Sequence, residues 1–158
     1  MTREGKIACC VGLLLVIFGF VGCAPKEPSS GELTATRAFA TAMPGAMTLG
    51  THGGDARWNV EGLEDAYATD LFVTHEDEAA VVAWHAALYD AEGWQPTAFG
   101  YVAMDDGGQT KLAWRYGDVV IGLGFPDRGW LQHLGRNYPE GTLYEVTITY
   151  RPPPSPGG

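Results

Sequence analysis

Residues 67–94 read YATDLFVTHEDEAAVVAWHAALYDAEGW, and the class of fold is decided there. Tyr67, Thr69, Leu71 and Val73 alternate with Ala68, Asp70 and Thr74, which is the period of a half-buried strand, interrupted only by Phe72. A helix start follows at once. Thr74 and Asp77 have capping-box spacing, and Glu76, Asp77 and Glu78 crowd the first turn, where the helix dipole favours anions. The sequence predicts a helix from about Asp77 to Glu92 with an apolar stripe of Val81, Trp84, Leu88 and Ala91. Gly93 supplies the left-handed stop, and Trp94 just past it is expected to pack back on the helix end and close the core.

Working outward toward the C-terminus, four strand-like runs follow: Trp94–Met104, Gln109–Tyr116, Val119–Phe125 and Thr142–Tyr150. Asp105-Asp106-Gly107-Gly108 and Gly117-Asp118 offer the positive-φ residues of hairpins, so these strands should pair antiparallel. Trp130–Tyr138 is a loop or one helical turn leading to the last strand. The expectation is α+β: an antiparallel sheet of about five strands with one main helix across one face, in the order β-α-β-β-β-β.

Toward the N-terminus, the stretch Ala24–Gly54 is rich in Pro, Ser, Gly, Ala and Thr and reads as a flexible tether. Leu33–Met43 has weak helical periodicity, and a helix docked on the domain is the competing reading there. The other end, Arg151 to Gly158, holds four prolines without amide donors and reads as a disordered tail.

The first residues carry Arg3, Lys6 and Glu4, followed by an uncharged apolar run from Ile7 to Gly22. That run is short for a membrane span, which needs about 20 apolar residues, and it is broken by Gly12, Gly19 and Gly22. It has the form of an export signal. Phe20-Val21-Gly22-Cys23 then resembles the lipobox of bacterial lipoproteins, with Phe20 departing from the usual aliphatic residue at its position. The resemblance implies cleavage before Cys23 by signal peptidase II and diacylglycerol on the Cys23 thiol. Two acyl chains suffice to hold a protein on a bilayer, since each buried methylene contributes about 0.8 kcal/mol. The chain therefore divides into a signal peptide (1–22), the lipidated Cys23 with its tether (23–54), an α+β domain (55–150) and a Pro-rich tail (151–158). The run Leu88-Tyr89-Asp90-Ala91-Glu92-Gly93-Trp94 between a strand and a meander is also similar to that of small lipoproteins of high-GC Gram-positive bacteria, a resemblance that brings no activity with it.

Composition narrows the function classes. The whole chain has a formal charge of −9; the leader carries a net +1, so the remaining 136 residues stand at −10. Such a charge argues against nucleic acid and against adhesion to anionic head groups through basic patches. Of three cysteines, Cys9 and Cys10 leave with the leader and Cys23 is modified, so no disulfide is expected. Serine occurs only at Ser29, Ser30 and Ser155, outside the domain, which excludes a Ser or Cys nucleophile paired with His there.

The histidines are His52, His75, His85 and His133. His75 beside Glu76, Asp77 and Glu78 supplies metal-type donors, but consecutive residues at a helix start diverge, and capping already explains the acids. His85 reads as a structural histidine, and Asp105-Asp106 as a hairpin tip rather than a calcium loop. No catalytic residue, metal ligand or cofactor is assigned. Trp130, after Phe125-Pro126-Asp127-Arg128-Gly129, is the aromatic best placed to anchor a partner, with Arg128 beside it for an anionic group. The expected function is a lipid-anchored, extracytoplasmic, non-catalytic binding or accessory module, meeting an envelope protein or a cell-wall component. A carrier or sensor of a small apolar ligand is the alternative, and a cell-wall hydrolase the third.

Overall fold

The structure is a computed structural model describing residues 27–59, 62–97 and 109–151. In chain order the elements are α1 (Ser30–Thr34), α2 (Arg37–Ala40), β1 (Met47–Gly54), β2 (Arg57–Asn59), β3 (Gly62–Glu64), β4 (Tyr67–Thr74), α3 (Glu78–Ala91), β5 (Gln95–Thr97), β6 (Gln109–Tyr116), β7 (Val119–Phe125), α4 (Arg128–His133) and β8 (Thr142–Tyr150). Six strands form one antiparallel sheet in the order β1-β4-β8-β7-β6-β5, and β2 and β3 form a separate two-stranded ribbon. The fold is thus mixed, an antiparallel sheet with short helices. Among the described residues the sheet has six strands where about five were expected, and four helices stand where one main helix was expected.

The added strand is β1, in the segment read as a tether. It pairs along its whole length with β4, from Met47↔Val73 to Gly54↔Tyr67, with a bulge between Thr48 and Gly50. As an edge strand with both faces largely exposed, it shows none of the alternation that marks a half-buried one. The two short helices before it are also folded: Ser29 accepts from the Glu32 amide while the Glu32 carboxylate takes the Ser29 amide at 2.7 Å, a reciprocal capping box. Leu33, Ala38 and Phe39 from this region are all buried in the main core. The tether expected to run to Gly54 is therefore folded from Ser30 onward.

β8 lies in the middle of the sheet and is buried on both faces. Tyr144, Val146, Ile148 and Tyr150 face the main core with Phe72 and Ala68 of β4 and Ile121 and Leu123 of β7. Burying side chains of this size contributes about 1.5–3 kcal/mol each. The opposite face carries Leu143, Glu145, Thr147 and Thr149, and the Thr69 and Thr147 hydroxyls meet at 2.9 Å. At one end of that face, Leu131 of α4 closes a second cluster with Val73 and Leu143.

α3 is capped three residues later than its sequence spacing suggests, and begins at Glu78. Asp77 is the N-cap, its carboxylate accepting from the Ala80 amide at 2.8 Å, whereas the Thr74 hydroxyl accepts from the Glu76 amide ahead of the helix. The buried stripe is Val81, His85 and Tyr89 rather than the predicted Val81, Trp84, Leu88 and Ala91. Trp84 and Leu88 flank it half-buried, and Ala91 is exposed. Gly93 ends the helix at φ 81°, the Trp94 amide donates to the Tyr89 carbonyl at 2.9 Å, and the Trp94 ring is buried. β6, β7 and β8 stand where the sequence places them, with Gly117 in the turn at φ 57°. The long strand expected over Trp94–Met104 contributes β5, and its remainder and the Asp105–Gly108 turn lie outside the described residues.

Candidate functional site

The groups with acid–base chemistry that the fold brings together are His85 and Tyr89 of α3 and Tyr144 of β8. The four-residue step from 85 to 89 sets both on the buried face of the helix, and β8 presents Tyr144 to them from the sheet. The His85 ring lies 5.3 Å from Tyr144 and 5.8 Å from Tyr89, centroid to centroid, with Trp84 edge-on at 4.7 Å. Tyr89 meets Trp114 at 4.8 Å and Trp94 at 6.1 Å, and Phe72 stacks on Tyr144 at 5.0 Å. His85 is 1 % exposed and its Nδ1 lies 2.9 Å from the Val81 carbonyl, so that nitrogen carries the proton and donates.

Burial pushes the His85 pKa below the ordinary imidazole range, with the Val81 hydrogen bond opposing part of the effect. Burial likewise pushes Tyr144 up to about 12, and Tyr89 higher still, helped by Tyr144 and the nearby Glu92 carboxylate. All three groups are neutral at pH 7 and enclosed by rings. The Tyr89 oxygen has no hydrogen-bond partner among the described residues, whereas the Tyr144 oxygen faces the Met43 backbone, which opposes part of its upward shift. The three side chains fill the space between α3 and the sheet, with the Glu92 carboxylate near Tyr89.

The corner singled out from sequence is built differently from a free binding loop. Arg128 begins α4, and its guanidinium reaches back to three backbone carbonyls: Tyr138 at 3.1 Å, Pro139 at 2.9 Å and Gly141 at 2.8 Å. The planar fork matches such a set, which is why an arginine rather than a lysine suits this position. Arg128 thus ties the 138–141 connection to α4. Trp130 belongs to α4 by its backbone, and its ring lies outside the described residues. Sequence reasoning found the corner but not the use of the arginine, because carbonyls 10 to 13 residues away leave no mark on composition.

His75 and His133 are exposed, at the α3 start and the α4 end, and His52 sits edge-on to Tyr67 at 6.3 Å on β1. Among the described residues no three His, Cys, Asp or Glu side chains gather to hold a metal ion. Ser29 caps α1, and Ser30 donates through both its amide and its hydroxyl to Asp55, at 2.7 and 2.8 Å. Those bonds hold the Asp55 carboxyl below its ordinary range. Among the described residues no helix is long and apolar enough to cross a membrane. Cys23 and the Asp105-Asp106 pair lie outside the described residues. Compared with family models, curated proteins and solved structures, the chain matches none.

Proposed function

We propose that this chain is a lipoprotein of the bacterial envelope, anchored by diacylglycerol on Cys23 and carrying a non-catalytic binding or accessory domain on the outer side of the cytoplasmic membrane. The observation that carries the reading is the order of features at the N-terminus: Arg3 and Lys6, the apolar run Ile7–Gly22, then Phe20-Val21-Gly22-Cys23. The partner class is an envelope protein or a cell-wall component, and the corner of α4 with Arg128 and Trp130 is the surface to probe first. A carrier of a small apolar ligand needs space between α3 and the sheet, and the rings of His85, Tyr89, Tyr144 and Trp114 stand there at van der Waals separations.

The test is the intact mass and membrane partitioning of the expressed protein beside Cys23→Ala. The wild type should appear as a chain beginning at Cys23 with the added mass of diacylglycerol, and should sediment with membranes. Cys23→Ala should lose both. A wild type that is unprocessed, or processed without lipid, overturns the reading.

A further inference from the structure

The fold turns the anchor into an orientation. The chain enters the domain at Ser29, whose side chain caps α1, and Ser30 is tied through two hydrogen bonds to Asp55 just beyond the end of β1. At that end of the sheet Gly54 pairs with Tyr67, Tyr67 with Thr149, and Val120 with Thr149, and the Gly117-Asp118 turn joins β6 to β7. Arg151 also leaves the sheet there, its amide on the Asp118 carbonyl and its carbonyl accepting from Arg115 at 2.7 Å. The opposite end holds Met47, Val73, Leu143, the start of α3 and the whole of α4.

Five residues lie between Cys23 and Ser29, so the six steps from one to the other reach about 20 Å even when fully extended. β1 alone spans about 23 Å between the two ends, and α4 with its loop lies at the far one. We infer that the domain stands with its Ser30–Asp55 and Gly117-Asp118 end toward the bilayer and its α3-start and α4 end outward, because the inverted pose would place Ser29 beyond the reach of the lipid on Cys23. The inference rests on lipidation of Cys23. The near end carries Asp55, Asp65 and Asp118 against Arg115 and Arg151, so it does not adhere to anionic head groups by charge, and the acyl chains alone hold it. A partner outside the bilayer then meets His75–Glu78, the corner of α4 and the connection that Arg128 ties down.

Cysteine introduced elsewhere is the only free thiol of the lipidated chain, which makes the orientation measurable. Asp118→Cys and Gln132→Cys, both exposed, are expressed as full chains, labelled with a maleimide fluorophore and reconstituted into phosphatidylcholine–phosphatidylglycerol vesicles bearing a quencher on a minority of head groups. Quenching at position 118 should exceed that at 132 roughly twofold or more, as a separation of about 20 Å along the strands requires. Equal quenching in protein that floats with the vesicles and carries the lipid mass would overturn the orientation alone. Protein without lipid mass that fails to float would overturn the anchor and the orientation together.

Discussion

His85 illustrates how one side chain can carry chemistry and yet serve packing. Its ordinary pKa of 6.5 is lowered by burial, so the unfolded chain binds a proton at a pH where the folded one does not. A histidine lowered in this way contributes stability that is complete above 6.5 and is lost as pH falls through the folded value. The urea midpoint should therefore drop between pH 7 and 5, and His85→Phe should flatten that part of the profile; an unchanged slope would show that other groups cause it. The phenols give the opposite sign. Raised above 10.0, Tyr89 and Tyr144 cost stability as pH climbs past that value. Because the Tyr89 oxygen is buried and unpartnered among the described residues, Tyr89→Phe should raise stability by about 1 kcal/mol at pH 7. Loss of stability instead, measured by urea unfolding, would mean that the hydroxyl is bonded to an internal water.

At the scale of elements, α4 and the connection to β8 depend on Arg128. Hydrogen bonds from a charged group contribute about 1.5–3 kcal/mol, and Arg128 makes three to carbonyls that would otherwise lack its donors. Arg128→Ala should destabilise the protein by about 2 kcal/mol, and Arg128→Lys should recover little, since one ammonium cannot reproduce the fork. Equal stability of the two variants and the wild type would show that the connection holds itself. Gly141 is part of the same device: it sits at φ 126° against the Thr74 carbonyl, where a Cβ would collide.

Which elements were legible follows from how local their causes are. α3, its Gly93 stop, the β6–β7 hairpin and β8 were legible because acids, turn glycines and alternation lie within each segment. β1 was not, since MTLGTHGG is held by its pairing to β4 and exposes both faces. The start of α1 did carry a local signal, Ser29-Ser30-Gly31-Glu32, which is the capping-box spacing inside a stretch dominated by tether-like composition. His85 and Tyr89 displaced Trp84 and Leu88 from the inner stripe because Tyr144, more than 50 residues later, is what they meet. Contacts of that separation cannot be read from periodicity.

For the whole molecule, the question is where the folding unit begins. Leu33, Ala38 and Phe39 belong to the main core, and β1 covers the edge of β4 over eight residues. Burial of Leu33 and Phe39 contributes about 3–6 kcal/mol together, a large part of the 5–15 kcal/mol that holds a typical domain. Loss of β1 would further leave the backbone groups of β4 open to pairing with other chains. A chain of residues 27–151 should therefore unfold cooperatively and stay monomeric, whereas one of residues 55–151 should bind the dye ANS, lose its cooperative urea transition and associate. The decisive comparison is the urea transition of the two, followed by tryptophan fluorescence and sedimentation. If the shorter chain unfolded at the same midpoint, α1, α2 and β1 would be mere attachments to a finished domain. The Ser30–Asp55 bonds would then fix no orientation, because the segment carrying them could peel away and lengthen the tether to about 32 residues, a reach of about 100 Å. Stability and orientation thus stand or fall on the same three elements.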